Sequence, residues 1–437
     1  MDTPQPTRGV HQAQAPARRR GLARRAATAG FLGTFIEYYD FSVYGFLVVY
    51  LAPQFFPGGN PAASVLASLG VFAAGYFARP LGGIFFGSLG DRKGRRTALL
   101  ATVVGMGAST TVMGVLPGYA QIGVAAPILL VLTRMLQGFS AGGEIVGSAT
   151  FVAESSDRRP GFFQSLTPLG SSLGVAAAPA AVGLATVAVG SAEMASWGWR
   201  LPLLFSAVLT GLVLLYRLRL EDSPEFAELA ASGRVEGTPV RSALRAHWRR
   251  ILAVSVLVLT ITCSSAVLMT YMNIYLIKIV GLPPSHVYWL SAIVLTAGAT
   301  GFLAGGPAVD RFGSRTALLF GFGGCAILIY PVMLFMSTAE SLLIIGLLYA
   351  VAVFFSNFSI PSVYVTFTNA FPTRVRYTGA ALGFNLGSIV GGGVTPYAAA
   401  QLTELTGEAR SPAWIVAACA VLGMSVVTYL APRRTPK

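Results

Sequence analysis

The feature that most constrains this chain is a short charged stretch that occurs twice between long apolar runs. Gly87–Leu100 reads GSLGDRKGRRTALL, and Gly306–Leu319, 219 residues later, reads GPAVDRFGSRTALL, with nine of the fourteen positions identical. The offset is about half of the 437 residues. A near-repeat at half the chain length indicates a duplicated unit with a charged turn at the same place in each copy.

The composition places this duplicated chain in a membrane. The residues are 54% hydrophobic and only 11% charged, and the mean hydropathy is +0.66, whereas soluble domains carry roughly a quarter charged residues. A transmembrane β-barrel would alternate polar and apolar residues in segments of about ten. Here the apolar residues form long blocks, and blocks of about 20 apolar residues cross a bilayer as helices. The sequence therefore predicts an all-α membrane protein.

Twelve apolar blocks have the length of a membrane span, six on either side of a polar linker. They lie at 27–50, 64–88, 97–116, 125–152, 162–189, 200–218, 251–279, 286–308, 316–336, 340–368, 378–401 and 413–430. We therefore expect two pseudo-symmetric six-helix bundles. The expected divisions are a disordered cytoplasmic tail at 1–25, bundles at 26–218 and 251–431, a cytoplasmic linker at 219–250, and a tail at 432–437.

The distribution of lysine and arginine predicts the orientation in the membrane. The two tails, the linker with Arg217 just before it, and the loops that follow the other even-numbered spans contain 26 of the 31 cations. Cytoplasmic loops carry such an excess of positive charge, so both termini are expected in the cytoplasm and the chain in the plasma (inner) membrane. The same distribution explains the net charge of +14 without a nucleic acid partner.

The residues give no indication of an enzyme. The three histidines, His11, His247 and His286, are scattered in tails and loops, and the three cysteines fall inside predicted spans. A phosphate-binding loop of the GxxxxGK[ST] type is absent from the sequence. We therefore expect no catalytic activity, no metal and no cofactor.

Five charged residues fall well inside predicted spans: Glu37, Asp40, Arg79, Arg134 and Glu144. A charge at the bilayer centre costs at least about 2.5–3.5 kcal/mol on insertion scales, so each is a candidate functional residue. A helix rises about 1.5 Å per residue, so the position of a residue along its span gives its depth in the membrane. By this estimate Asp40 lies at a depth similar to that of Arg134, and Glu144 at a depth similar to that of Arg79, so these two ion pairs can form. Glu37 is left near the midplane without an obvious partner.

The repeated stretch resembles the loop between helices 2 and 3 of the major facilitator superfamily, Gly-x-x-x-Asp-Arg-x-Gly-Arg-Arg. The matching residues are Gly87, Asp91, Arg92, Gly94, Arg95 and Arg96, and in the second copy Gly306, Asp310, Arg311 and Gly313. Further matching stretches are Arg134-x-x-Gln137-Gly138, Ala153-Glu154 with Arg158 to Gly161, and Leu220 to Pro224. The resemblance runs from about Phe31 to the end of the chain. It implies the fold of that superfamily, with twelve helices in two bundles.

Within that superfamily the chain is most similar to the metabolite:proton symporters, which include carriers of proline/betaine, 2-oxoglutarate, citrate and shikimate. The similar stretches are Gly33–Phe46, Phe77–Asp91, Arg134–Glu144, Trp197–Pro202, Thr270–Leu276 and Phe371–Thr378. Two positions depart from the family pattern, Asn369 where many relatives have Glu, and Ser314 where the first copy has Arg95. We therefore expect the charge network of the second copy to be weaker.

Two carboxyl groups, those of Asp40 and Glu37, are candidates for the residue that carries the proton. The resemblance favours Asp40 with Arg134, whereas depth favours Glu37; Glu144 completes the set of candidate coupling residues. A carboxyl group in low dielectric favours its protonated form and a nearby arginine favours its ionised form. A group that alternates between such environments can carry a proton. The alternative is that all five charged residues form permanent ion pairs that only hold the helices together.

Polar and aromatic residues on the inner helices are the candidate substrate ligands. They are Tyr38, Tyr44, Arg79, Gln164, Tyr271, Asn273, Tyr275, Asn357 and Asn385. Two further tyrosines of these helices are Tyr39 on the first predicted helix and Tyr364 on the tenth. The alternative for the tyrosines is the aromatic belt at the membrane interface. The candidate gating residues on the cytoplasmic side are Gly87, Asp91, Arg92, Gly94, Arg95, Glu154, Asp310 and Arg311.

Together these patterns predict a secondary active transporter that works by alternating access. The expected activity is proton-coupled import of a small organic acid. The alternative is proton-coupled uptake of a zwitterionic osmolyte such as proline or betaine, and a uniporter or an exporter is a further possibility. A channel and a transporter-like sensor are disfavoured by the acid–arginine pairs and the short tails. The expected partners are a small-molecule substrate, protons and the lipid bilayer, and the expected state is a monomer.

Overall fold

The computed structural model describes residues 16–58, 61–156 and 158–430, and within these ranges the regular structure is helical. Twelve long helical segments, α1 to α12, account for most of it. They are α1 Pro16–Phe55, α2 Pro61–Lys93, α3 Arg95–Val115, α4 Ala125–Ser155, α5 Pro160–Val189, α6 Arg200–Leu218, α7 Pro239–Lys278, α8 Pro284–Ala297 with Ala299–Phe312, α9 Ser314–Thr338, α10 Leu342–Asn369, α11 Arg376–Ser388 with Thr395–Thr406, and α12 Pro412–Leu430.

Short segments lie between and within these helices. They are the α-helical turns Tyr119–Ile122 and Ser191–Glu193, a linker helix Pro224–Ala231, the 3-10 turn Thr373–Val375, and π-helical segments at Met194–Gly198, Val267–Tyr271 and Ile389–Val394. Among the described residues, ten of the long helices are long and apolar enough to cross a membrane. Of the other two, α1 contains the acidic residues Glu37 and Asp40, and α11 is interrupted by a π-helical segment.

Two boundaries differ from the sequence-based expectations. Helix α1 begins at Pro16, so the second part of the tail predicted to be disordered is helical, while residues 1–15 and 431–437 lie outside the described ranges. Helix α7 begins at Pro239 rather than near 251, and non-helical backbone angles at His247 (φ −130°, ψ 17°) separate its first turns from the apolar span. The predicted linker therefore contains two helical pieces, the second of which continues into the span.

Helix pairs of the two bundles pack in the same way, through glycines that bring two backbones together. Helix α2 packs on α4, where a Cβ atom at Gly142 would overlap the carbonyl oxygen of Arg79. In the second bundle α8 packs on α10, where a Cβ atom at Gly305 would overlap the carbonyl oxygen of Phe358. Small residues permit such close approach between membrane helices. The packing of α2 on α4 fixes the position of Arg79.

The repeated stretches form equivalent turns. Gly94 joins α2 to α3 with φ 101°, and Gly313 joins α8 to α9 with φ 86°. Such angles are accessible to glycine at little cost and are unfavourable for other residues. The turns, with the arginines beside them, define what we call the arginine-rich end of the two bundles.

The close packing of α2 on α4 can be tested at Gly142. Gly142→Ala is expected to lower the melting temperature in detergent by several degrees, because overpacking a tight contact costs about 1–3 kcal/mol. The matched control is Gly211→Ala in α6, where nothing lies within 4 Å of the added methyl group. The control should be neutral or stabilising, because alanine in a helix interior is favoured over glycine by about 0.5–1 kcal/mol. Equal stability of the two variants would contradict the packing.

Candidate functional site

A cavity of about 340 Å³ lies between the two bundles. Helices α1, α2 and α5 of the first bundle and α7, α8, α10 and α11 of the second contribute to its wall. The lining residues are Tyr38, Phe41, Ser42, Phe72, Tyr76, Arg79, Pro168, Ser171, Ser172, Val175, Ile261, Thr262, Ser265, Ala266, Met269, Leu295, Phe302, Asn357, Ile360, Tyr364, Phe384, Ser388 and Gly392. A site between the bundles is where a transporter built from repeats binds its substrate.

The cavity wall combines one cation with a group of aromatic rings. Arg79 is the one charged side chain among the described lining residues. The centroid of the Phe41 ring lies 4.7 Å from that of Tyr76, and the Phe72 and Tyr76 centroids lie 5.6 Å apart. The Arg79 guanidinium carbon lies 4.9 Å from the centre of the Phe41 ring. The rings of Phe41, Phe72 and Tyr76 therefore form one group beside the guanidinium, which we call the aromatic group.

Arg79 forms an ion pair with Glu37. The Glu37 side chain is fully buried, whereas 14% of the Arg79 side chain is exposed, so Glu37 lies behind the arginine as seen from the cavity. Glu37 Oε2 and Arg79 Nε have no hydrogen-bond partner among the described residues. The prediction that Glu37 lacks a partner and that Arg79 pairs with Glu144 was therefore wrong. Depth along the helices was compatible with both pairs, and the helix rotations decided between them.

Asp40 lies in a polar network that connects it indirectly to Arg134. The Thr110 hydroxyl donates to Asp40 Oδ2 at 2.9 Å, and Gln137 Nε2 donates to the Thr110 hydroxyl oxygen at 2.7 Å. Arg134 donates to Gln137 Oε1 and, at 3.2 Å, to the carbonyl oxygen of Phe41. The predicted direct pair of Asp40 with Arg134 is therefore not formed, because Gln137 lies between them. Asp40 Oδ1 has no hydrogen-bond partner among the described residues.

Glu144 pairs with Arg217, which lies at the end of the sixth predicted span and was not among the predicted site residues. The two side chains are almost fully buried, and Glu144 Oε2 also accepts a hydrogen bond from Thr102 at 2.6 Å. Arg217 donates to the carbonyl oxygens of Leu99 at 2.8 Å and Ala29 at 3.1 Å. The pair thus connects α1, α3, α4 and α6. Its signal in the sequence was an arginine inside the last turn of an apolar span.

Three of the nine predicted substrate ligands, Tyr38, Arg79 and Asn357, line the cavity. The other six do not line it and form hydrogen bonds inside the protein. These are Tyr44 with Ser68, Gln164 with Ala149, Tyr271 with Thr403 and Ala409, Asn273 with Ser291 and Met269, Tyr275 with Met333, and Asn385 with Gly142.

The aromatic group was not predicted from the sequence. Phe72, Tyr76 and Arg79 occupy positions i, i+4 and i+7 of α2, which places them on one face of the helix. Of the two further tyrosines noted in the sequence, Tyr364 lines the cavity, while Tyr39 donates to the carbonyl oxygen of Pro202 at 2.8 Å. Among the described residues no group of three or more histidine, cysteine, aspartate or glutamate side chains is placed to hold a metal ion.

At the arginine-rich end two aspartates of the repeated stretches bind the first turns of helices in the opposite bundle. Asp91 accepts hydrogen bonds from the backbone N–H groups of Thr378 at 2.8 Å and Tyr377 at 3.3 Å, at the start of α11. Asp310 accepts from those of Gly161 at 2.8 Å and Phe162 at 3.0 Å, at the start of α5. Negative charge is favoured at a helix N-terminus. These two contacts, which we call the latches, are pseudo-symmetric.

A charge network reinforces the first latch. Arg95 binds Glu154 at 2.8 Å and Asp91 at 3.2 Å and donates to the carbonyl oxygen of Thr373 at 2.6 Å. Arg376 of the second bundle also binds Glu154 at 3.1 Å. Glu154 is therefore shared by an arginine from each bundle.

Gly87 permits this approach, because a Cβ atom there would lie 2.9 Å from the Thr378 Cα atom. Gly94 makes the turn described above. Arg92 and Arg311 are exposed and form no ion pair with a described residue, so the contacts of the latches do not include their side chains. Asp310 likewise has no ion-pair partner in the described ranges, and the counterpart of Arg95 at this second latch is Ser314.

The latches belong to a closed end of the molecule. Tyr377 donates to the carbonyl oxygen of Gly143 at 2.7 Å, and Asn385 donates to that of Gly142 at 3.1 Å. Across the part of the chain that the structure describes, the hydrogen bonds between the two bundles lie between the arginine-rich end and the middle of α4. The bundles are therefore joined on this side of the cavity.

Known protein families and proteins include chains that are similar to this one over most of its length. The family model "Major Facilitator Superfamily" matches residues 30–386. The "Proline/betaine transporter" of Salmonella typhimurium is 36% identical over 419 residues, covering 92% of this chain and 82% of the relative. The "Glycine betaine/proline/ectoine/pipecolic acid transporter OusA" of Dickeya dadantii is 36% identical over 420 residues with the same coverage. A "Putative proline/betaine transporter" of Staphylococcus aureus is 32% identical, covering 93% and 88%.

Solved structures have the same fold. The proton:xylose symporter XylE bound to 6-bromo-6-deoxy-D-glucose aligns with a TM-score of 0.78 and 15% identity, covering 95% of this chain and 97% of that one. A partially occluded inward open conformation of the xylose transporter XylE from E. coli aligns with a TM-score of 0.67 and 17% identity, covering 95% and 99%. These similarities confirm the predicted fold of two six-helix bundles.

The first latch can be tested with Asp91→Asn. The variant loses the charge that holds the start of α11, a contribution of about 0.3–1 kcal/mol or more when buried, so the arginine-rich ends should separate in a several-fold larger fraction of molecules. Spin labels on cysteines introduced at the exposed positions Lys93 and Arg374, in a chain without its natural cysteines, report this distance. The control is Glu228→Gln on the exposed face of the linker helix. An unchanged distance distribution in Asp91→Asn would contradict the latch.

Proposed function

The chain belongs to the major facilitator superfamily and is a multi-pass membrane transporter rather than an enzyme, and on that premise we propose that it imports a zwitterionic osmolyte of the proline or betaine type together with protons. The relatives named above are transporters of proline, betaine and related zwitterions by their printed names. They support the alternative of the sequence analysis over the organic acid that it preferred.

The charge of the cavity supports a zwitterion with one carboxylate. Arg79 lines the cavity with 14% of its side chain exposed, and its guanidinium can bind one carboxylate group. A di- or tricarboxylate would need further cations, because charged oxygen atoms bind most strongly to guanidinium or ammonium groups. The described lining residues offer none besides Arg79.

The aromatic group supports a methylated or compact ammonium at the other end of the substrate. A quaternary ammonium binds the faces of aromatic rings, with about 0.5–1 kcal/mol per exposed contact and about 2 kcal/mol when desolvated. Phe41, Phe72 and Tyr76 line the same cavity as Arg79. The Arg134 guanidinium carbon already lies 3.9 Å from the centre of the Phe41 ring and 4.7 Å from that of Phe72, so Tyr76 is the ring that we assign to the cation of the substrate. Arg79 can thus hold the carboxylate of the substrate, and the adjoining ring of Tyr76 can hold its cation without a carboxylate in the wall.

Glu37 is the residue that we propose for proton coupling, and its contact with Arg79 is the observation that carries the proposal. The ionised carboxylate of Glu37 pairs with the Arg79 guanidinium on the side that faces away from the cavity. A proton on Glu37 neutralises it and leaves the full charge of Arg79 for the substrate carboxylate. Proton binding and substrate binding therefore favour each other, and this coupling is reciprocal. A symporter requires such a linkage between its two ligands.

Asp40 is the second candidate for the proton site. One of its carboxylate oxygens has no partner among the described residues, and Gln137 links it to Arg134. The resemblance to symporters of the superfamily also favours this residue. It lies outside the described cavity wall, however, so a proton on Asp40 would act on the substrate through the network rather than through a shared cation.

We propose that the bundles, at about 26–218 and 251–431, rock against each other around the cavity. The arginine-rich end then faces the cytoplasm, with both termini on that side of the inner membrane, because cytoplasmic loops are rich in lysine and arginine. The latches close this end in the state described above, so release of the substrate requires both of them to open. The protein would work as a monomer, since one chain supplies the complete cavity.

The coupling proposal is tested in liposomes that contain the purified protein. Glu37→Gln, which mimics the protonated acid, is expected to lose proton-driven accumulation of betaine or proline and to keep exchange of labelled for unlabelled substrate. Glu340→Gln, at an exposed position, is the control and should behave as wild type. Loss of accumulation in Asp40→Asn alone would assign the proton to Asp40. Full accumulation in both variants would exclude the proposed coupling, and exchange of an organic acid alone would exclude the proposed substrate.

The role of the rings is tested by comparing two substrates. Tyr76→Ala is expected to weaken betaine binding about tenfold, since the loss of one cation–π contact of about 1.4 kcal/mol has that effect. Proline, whose ammonium carries N–H groups, should lose less. Tyr288→Ala, at another exposed tyrosine, is the control. Competition in the exchange assay gives both affinities, and equal losses for betaine and proline would contradict the assignment of the rings to the methylated ammonium.

A further inference from the structure

A second cavity, of about 530 Å³, lies at the arginine-rich end and outside the pathway between the bundles. Its wall contains three arginines, Arg24 of α1 and Arg158 and Arg159 of the turn before α5. All three are exposed, and their side chains form no hydrogen bond or ion pair with a described residue. The remaining lining residues are Thr28, Phe162, Phe163 and Leu166. The cavity thus combines three arginines that pair with no described acid and an apolar wall.

The backbone holds Arg159 in an unusual conformation. With φ 60° and ψ 49°, it is the one non-glycine residue with positive φ among the described residues. Such a conformation is unfavourable for residues with a Cβ atom. Unfavourable backbone conformations are often found at ligand-binding positions, where they fix the direction of a side chain. Arg159 directly precedes Pro160, the first residue of α5, and lines the cavity together with Arg158 and Arg24.

We propose that this cavity binds the phosphate group of an anionic phospholipid, with its acyl chain along the apolar wall of α5. Guanidinium groups bind phosphate oxygens strongly, and basic pockets beside membrane helices bind anionic head groups. Phe162 and Leu166 are four residues apart on α5 and continue from the charged rim toward the apolar part of the helix. A soluble phosphate compound would use the arginines but would gain nothing from this wall.

The first N–H groups of α5 are not part of the site. Those of Gly161 and Phe162 are already bound by Asp310 of the second latch, so the arginines must hold the phosphate. All seven lining residues belong to α1, α5 and the turn before α5. They move together if the bundles rock as rigid bodies, and a ligand that binds two states equally does not shift their populations. The lipid should therefore stabilise the first bundle without opening or closing the transporter.

The proposal is tested with the full-length protein in nanodiscs of phosphatidylcholine with increasing phosphatidylglycerol. The melting temperature of the wild type should rise by several degrees, because a ligand that binds the folded state stabilises it. The triple variant Arg24→Gln, Arg158→Gln, Arg159→Gln should lose more than half of this rise. The matched control removes the same charge at exposed arginines of the first turns of α7, with Arg241→Gln, Arg245→Gln and Arg249→Gln, and should keep it.

A second variant separates lipid binding from folding. Arg159→Gly removes one cation and also the unfavourable backbone conformation, so it should be at least as stable as the wild type in phosphatidylcholine and gain less from phosphatidylglycerol. Arg159→Lys should keep part of the gain. The proposal is overturned if the triple variant keeps the full rise, or if the control triple loses as much. It is also overturned if inorganic phosphate in phosphatidylcholine discs gives the same rise, because the occupant would then be a soluble anion.

Discussion

The ion pair of Glu37 with Arg79 is the interaction on which the proposed coupling of substrate and proton depends. A charge in the bilayer centre is unfavourable unless it is paired or functional, and here the two partners differ in what they face. Arg79 reaches the cavity between the bundles, while Glu37 is enclosed behind it. One group can therefore meet a substrate while the other holds or releases a proton. The close packing of α2 on α4 keeps the arginine in this position.

In the proposed mechanism, the latches extend this arrangement to alternating access. Asp91 and Asp310 each bind the first turn of a helix in the opposite bundle, so each contact breaks when the bundles separate. Helix-terminus contacts of this kind are modest in energy, about 0.3–1 kcal/mol each and up to about 2 kcal/mol when partly buried. A few such contacts can close one end of the molecule and still be broken by the differential binding energy of the substrate.

Much of the fold could be predicted from the sequence. Long apolar blocks predict the spans, and the repeat of Gly87–Leu100 predicts two equivalent bundles whose charged turns lie at one end. The same repeat predicts the latches, since Asp91 and Asp310 occupy the same position in it.

The side-chain pairs of the site could not be derived in this way. Depth in the membrane follows from position in the chain, whereas partner choice depends on how each helix is rotated about its axis. For this reason Glu144 pairs with Arg217, which comes from α6 rather than from α2. The tyrosines of α7 likewise turn toward Met333 and Thr403 instead of the cavity.

The most direct measurement counts the protons that the purified protein takes up when it binds betaine, by calorimetry in buffers of different ionisation enthalpy. The account predicts proton uptake on binding in the wild type and none in Glu37→Gln. Binding without proton uptake in the wild type would contradict it.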